Sequence, residues 1–175
     1  MVASEGAGRL LYPRDTDAGG TWIALRENGT AVVLLNGAFT KHLRRPPYRL
    51  SRGKVLLEVV RALRPVDHLD LMDLDGIEPF TLVLFDGGGL WEFRWDGSRK
   101  YLLALDKTRP YIWSSATIYD LQIANQRERE FKEWLRVGIR HASDDAPFPA
   151  SIPPSPDEII AWHRRHLLND RDNRL

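Results

Sequence analysis

Apolar residues gather early in the chain into two short runs, Thr21–Arg26 and Thr30–Asn36, joined through Glu27-Asn28-Gly29. Asn and Gly both tolerate φ > 0, so Asn28-Gly29 predicts a two-residue type I′ hairpin turn. That loop sets Leu25 opposite Val32, Ile23 opposite Leu34 and Thr21 opposite Asn36. The second run, Ala31-Val32-Val33-Leu34-Leu35, is apolar at every position, which predicts a strand covered on both faces.

A basic, proline-interrupted loop follows at 40–50. Ser51 then reads as the N-cap of a helix to about Arg64, with Val55, Leu56, Val59, Val60 and Leu63 in one stripe and Pro65 as its stop. A short acidic helix is expected over Asp67–Leu74. Pro79–Asp86 predicts another buried strand, and Gly87-Gly88-Gly89 turns the chain. Leu90–Trp95 alternates, with Trp91, Phe93 and Trp95 on one face, and Asp96-Gly97 predicts a second hairpin into Ser98–Leu105. Tyr111-Ile112-Trp113 suggests one more short strand. A long helix is expected from about Asp120 to Arg140, turning Phe131, Trp134, Leu135 and Ile139 inward. The five prolines within 142–156 make an extended connector. The last helix, 157–168, has a capping box of Ser155, Pro156 and Glu158, and carries Ile159, Ile160, Trp162 and Leu167. The sum is one α+β domain over 1–175, its strands mostly antiparallel, with helices on both faces of the sheet.

Composition narrows the function classes. Across 175 residues, 25 Lys and Arg face 24 Asp and Glu, a formal net charge of +1. Such balance gives no bulk electrostatic reason to expect nucleic acid or an anionic membrane as partner. The absence of cysteine excludes disulfides, thiolate zinc sites and thiol nucleophiles from the chain. No apolar run approaches the ~20 residues that span a bilayer. Met1–Gly8 lacks the pattern of a signal peptide, so the expected location is cytoplasmic.

Several segments together carry a family resemblance. Asp15-Thr16-Asp17-Ala18-Gly19-Gly20-Thr21-Trp22-Ile23-Ala24 resembles the RD-x-x-AGGTW segment of the NRDE-motif (transport and Golgi organisation) family. Ala31–Gly37 is similar to that family's strand ending in Leu-Asn, and Ser51-Arg52-Gly53 to its SRG helix start. Gly76–Leu82 and Trp113–Tyr119 are similar to later segments of bacterial members. The likeness runs from about Leu11 to Trp134. It implies an αββα sandwich similar to N-terminal nucleophile hydrolases, in which an exposed first residue attacks and its own amine serves as base. Members typically open with Met-Cys followed by Asn-Arg-Asp-Glu, and neither is here; Arg14-Asp15 belongs to the AGGTW segment, and Val2 has no nucleophilic atom. The expectation is therefore a non-catalytic, N-terminally truncated form. Residues 1–12 would be a disordered tail, and the sheet would end in an exposed edge at Thr21–Arg26, open to pairing with a second copy.

Candidate site residues divide into two groups. Asn36 ends a buried strand before Gly37 and offers the amide donor of an oxyanion hole, a role the resemblance supports; an Asn capping a strand-to-loop turn is the alternative. By resemblance, Gly19, Gly20, Thr21, Ser114 and Ser115 line the same substrate pocket, although Ser114 and Ser115 suit a helix cap equally well. The second group is the basic cluster of Lys41, His42, Arg44, Arg45, Arg49, Arg52 and Lys54, which contains no acid. Arg44, Arg45, Arg49 and Arg52 could take a carboxylate or phosphate near the helix start, or form a solvated loop. His163 and His166, with Asp170 beyond, share a helix face but make too few ligands for zinc, and no cofactor is expected. Three functions stay open: a binding module for a small molecule (lipid, acyl-CoA or haem among the candidates), an amidase- or acylase-type hydrolase with its nucleophile upstream of Met1, or an interaction protein without a ligand.

Overall fold

The computed structural model describes residues 2–5, 8–140 and 154–172. Its strands are Val2–Glu5 (β1), Gly8–Leu11 (β2), Ile23–Arg26 (β3), Ala31–Asn36 (β4), Phe80–Phe85 (β5), Leu90–Trp95 (β6) and Lys100–Leu105 (β7). Its helices are Arg52–Arg61 (α1), Pro65–Leu71 (α2), Leu121–Arg140 (α3) and Pro156–Asp172 (α4). Each described strand pairs antiparallel with the next in sequence, giving one meander in the order β1 to β7. The fold is α+β. The chain divides into two compact units, Met1–Ala124 and Asn125–Leu175, where length alone suggested one domain.

Residues 2–5 and 8–11, expected as part of a tail, instead form strands. Leu10 and Leu11 of β2 pair with Arg26 and Leu25, so the edge expected at Thr21–Arg26 is occupied. The register of the β3–β4 hairpin also departs from expectation. Ile23 faces Val33, Ala24 faces Val32 and Leu25 faces Ala31, one position from the predicted pairing. The cause is a three-residue loop: the Arg26 N–H donates to Thr30 O at 2.8 Å, the Gly29 N–H donates to Arg26 O at 2.9 Å, and Gly29 sits at φ 87°. Asn28 Oδ1 accepts from the Thr30 N–H (3.1 Å) instead of lying in a mirror-image turn. Thr21 is therefore not the partner of Asn36, which pairs with Phe80. The second hairpin forms, but Trp95 pairs with Lys100 and the Asp96 N–H donates to Arg99 O at 3.2 Å, so its loop is longer than the two-residue Asp96-Gly97 turn expected. Tyr111 and Trp113 stack at 5.7 Å but belong to no strand.

Alternation assigns the two faces of the sheet. Ala24, Val32, Leu84 and Phe93 point towards α1, where Val55, Leu56, Val59 and Val60 are fully buried against them. Each such side chain contributes about 1.5–3 kcal/mol by leaving water. Phe80 and Phe93 meet at 5.8 Å, and Trp95 donates its indole N–H to Ile77 O at 2.9 Å. On the other face, the register lines up Leu11, Leu25, Ala31, Phe85, Leu90 and Leu105 across six strands. Ile23, Val33, Val83, Glu92 and Leu103 form the next row. The cover expected on both sides of β4 is supplied by α1 on one; the opposite rows keep Leu11, Ile23, Leu25, Phe85 and Leu103 exposed.

In the second unit, Trp162 of α4 is buried and meets Phe131 at 5.5 Å and Trp134 at 6.0 Å. Arg127 lies over the Trp162 ring at 5.9 Å. The capping box forms: the Ser155 N–H and hydroxyl both donate to Glu158 Oε2 at 2.8 Å, and the Glu158 N–H donates to Ser155 Oγ at 3.3 Å. The connector expected at 142–156 lies outside the described residues up to 153, as do the side chains of Ile139, His166, Leu167 and Asp170. Among the described residues no helix is long and apolar enough to cross a membrane.

Candidate functional site

The turn that leads into β3 meets the first turn of α1 backbone to backbone. A Cβ on Gly20 would lie 2.7 Å from the carbonyl carbon of Gly53, and one on Gly53 would lie 2.7 Å from Thr21 N. Neither position has room for a side chain, so the contact requires two glycines. The Thr21 N–H points at Gly53 O at 3.4 Å. Asp15 closes the turn, its Oδ1 accepting the N–H groups of Asp17 and Ala18 at 3.0 Å. The start of α1, where helical N–H groups have no intrahelical partner, is thereby held close to the end of β4.

A cavity of about 550 Å³ opens at this junction. Asp15, Ala18, Gly20, Thr21 and Trp22 form one wall, and Leu34 and Asn36 of β4 form the floor. Arg44, Tyr48 and Leu50 of the basic loop, Ser51, Arg52 and Gly53 of the helix start, and Glu78 complete it. The four segments carrying AGGTW, Leu-Asn, SRG and Gly-Ile-Glu-Pro thus converge on one space.

Glu78 organises the basic side. Its buried carboxylate receives His42 Nε2 at 3.0 Å and Arg52 Nη2 at 3.2 Å, and lies 3.5 Å from Arg44 Nε. Arg52 also donates to Pro79 O at 3.2 Å. Burial pulls the Arg52 guanidinium below its ordinary pKa; Glu78 opposes that shift, and Arg44 adds to it. Arg44 is mostly exposed, and no hydrogen bond of its two terminal nitrogens is formed among the described residues. Ser51 has the extended backbone of an N-cap (φ −74°, ψ 143°), yet its hydroxyl caps nothing. Its Oγ is buried without a partner among the described residues, on the cavity wall. Two guanidiniums and an imidazole therefore gather around one carboxylate, with a spare hydroxyl beside them.

Gly20, Thr21 and Asn36 of the first group and Arg44 and Arg52 of the second all line this one cavity, whereas Gly19, Ser114 and Ser115 do not. The Asn36 side chain is exposed at the cavity, while its backbone O accepts from Ser115 Oγ at 2.9 Å. Ser115 supports the strand end and does not line the cavity, and Ser114 is not on its wall either. Neither caps α3, since Asp120 Oδ1 takes the Ile123 N–H at 2.8 Å. Gly19 faces a neighbouring cavity of about 580 Å³ with Arg14 and Lys54. Arg49 turns away to Asp73 (3.3 Å) and to the carbonyls of Asp73 and Asp75, and Arg45 contributes only its N–H, to Tyr48 Oη at 2.7 Å. Thr21 Oγ1 is committed to Ile23 O at 2.8 Å.

Sequence reasoning missed Glu78, which lies 36 positions from His42, and the role of Ser51. The available signal was an acid flanked by Ile77, Pro79 and Phe80, an apolar setting that a carboxylate enters only with a partner. Among the described residues no three His, Asp or Glu side chains gather to hold a metal ion.

Comparison with known proteins finds no match among curated proteins. The sequence does match the profile of the family described as Transport and Golgi organisation 2, over residues 2–149, most of the chain and all of the cavity. The chain belongs to the Transport and Golgi organisation 2 family.

Proposed function

We propose that the cavity at the start of α1 binds a small molecule through a carboxylate or phosphate head group, and that this chain acts as a binding domain without covalent catalysis. The observation that carries the reading is the Arg44–Glu78–Arg52 arrangement with the orphan Ser51 hydroxyl beside it. Arg44 has spare donors at the cavity, and a guanidinium matches a carboxylate or phosphate in a bidentate fork. The α1 N-terminus adds its dipole and unpaired N–H groups. Leu34, Leu50 and Trp22 supply apolar wall for the remainder of such a ligand.

Two features support the non-catalytic part. The chain has no cysteine, and the Thr21 hydroxyl is already engaged. Asn36, exposed at the cavity, offers its side-chain amide as a further donor to the head group. Lack of cysteine also agrees with a cytoplasmic setting. Calorimetric titration with inorganic phosphate and with octanoate tests the reading. Binding that weakens roughly ten- to a hundredfold in Arg44→Ala supports it. Equal binding by Arg44→Ala and the unaltered chain, or no binding of either anion, rejects it.

A further inference from the structure

The neighbouring cavity, of about 580 Å³, takes no part in the anion site described so far, yet its lining is also cationic. One stripe of α1 supplies much of it: Lys54, Leu57, Glu58 and Arg61 follow at the three- and four-residue spacing that puts helical side chains on one face. Arg14, from the segment between β2 and β3, joins them. Three cations thus share the cavity with one carboxylate, and Glu58 is engaged by His68 Nε2 at 3.1 Å. Among the described residues the Arg14 and Lys54 side chains make no hydrogen bond or ion pair. The Lys54 stem is held against the wall, its Cε 3.5 Å from where a Cβ on Gly19 would stand. Cations gathered around a hollow without counter-charge repel one another, and an anion placed among them relieves that repulsion.

The two cavities adjoin. Leu50 lines both, and the rest of their shared border runs through sequence neighbours: Arg14 beside Asp15, Gly19 beside Gly20, and Lys54 beside Gly53. We infer that one ligand occupies both cavities, an elongated small molecule with an acid group at each end, the first held at Arg44 and the second at Arg14 and Lys54. The inference rests on the anion reading of the first cavity and adds to it the class of ligand. Leu50, with Tyr12 and Leu57, offers apolar surface for the stem between the two acids. A helix rises about 1.5 Å per residue, so α1 advances about 4.5 Å from Ser51 to Lys54 and about 15 Å from Ser51 to Arg61; acids on the order of 10 Å apart suit that span. A ligand with an uncharged tail would set apolar chain against Arg14 and Lys54, whereas a second acid meets them with charge-assisted hydrogen bonds. Tethering the two contacts makes each reinforce the other.

Calorimetric titration with octanoate and with suberate, acids of equal chain length of which suberate carries a second carboxylate, tests the inference. The unaltered chain should bind suberate at least ~10-fold more tightly than octanoate. Arg14→Gln and Lys54→Gln, substitutions at exposed positions that leave the fold intact, should each remove most of that advantage and leave octanoate binding unchanged. Arg44→Ala should weaken both acids. Suberate that binds no more tightly than octanoate overturns the inference; octanoate binding that is still lost in Arg44→Ala then leaves the single-anion reading standing. An advantage for suberate that survives the Arg14→Gln, Lys54→Gln double variant also overturns it, because attraction spread over the whole basic surface would behave in that way. If neither acid binds, the inference falls together with the reading beneath it.

Discussion

Gly20 and Gly53 touch through their backbones: Gly53 stands where a Gly20 side chain would be, and the Gly20–Thr21 backbone stands where a Gly53 side chain would be. This one contact fixes the distance from the turn before β3 to the first turn of α1, and with it the width of the cavity. Gly20→Ala and Gly53→Ala should each cost about 1–3 kcal/mol, the range of overpacking in a close-fitted site. Their effects should add to less than their sum, because either substitution breaks the same contact. Urea unfolding of the two single variants and the double variant measures this directly.

Removing the carboxylate of Glu78 has two opposed consequences. Glu78→Ala leaves part-buried Arg52 without its counter-charge and should destabilise the fold by about 1–3 kcal/mol. Glu78→Gln keeps the shape and some hydrogen bonding, so it should cost less. Because Glu78 competes with any ligand anion for Arg44 and Arg52, Glu78→Gln should bind phosphate more tightly than the unaltered chain. Paired stability and titration curves separate the two effects.

Acid should weaken the first unit. Burial works against the Glu92 charge, but hydrogen bonds from Arg94 and Trp113 and the Arg94 charge outweigh it and hold its carboxyl below the usual value. Asp96 is depressed likewise, slight burial being outweighed by the hydrogen bonds from Arg99, Ser98 and Tyr101. A carboxyl depressed in the folded state binds fewer protons there than in the unfolded chain. Its stabilisation is therefore complete above the ordinary carboxylate range, near pH 4–5, and is lost as pH falls through the folded value. Urea midpoints should fall below about pH 5, and less steeply in Glu92→Gln.

The second unit should depend on one side chain. Trp162→Ala removes the ring shared by Phe131, Trp134 and Arg127 and should cost about 3–5 kcal/mol. Near-ultraviolet circular dichroism should lose the signal of this aromatic cluster. Ser155→Ala, which removes only a cap, should cost about 1 kcal/mol.

What the sequence made legible was local. The α4 capping box, the long α3 and the alternation of Phe93 and Trp95 each follow from residues within a few positions of one another. The β3–β4 register was misplaced because Glu27-Asn28-Gly29 suits two loops, and the three-residue one puts Gly29 alone at positive φ. The strands at Val2–Glu5 and Gly8–Leu11 were invisible since their pairing is a tertiary property of small, weakly patterned residues. In the site, Gly20, Thr21 and Asn36 were found through motif likeness, and Arg44 and Arg52 through the basic run. Glu78 was not, because pairing across 36 positions leaves no periodic trace.

The account rests on an anion site bounded by the helix start and Arg44. Amide chemical-shift mapping during titration with inorganic phosphate tests it most directly. The account predicts saturable shifts concentrated at Thr21, Ser51, Arg52 and Gly53 that largely vanish in Arg44→Ala. Shifts spread evenly over the basic loop, or centred on Arg49 and Lys54 with Thr21 and Arg52 unmoved, would contradict it.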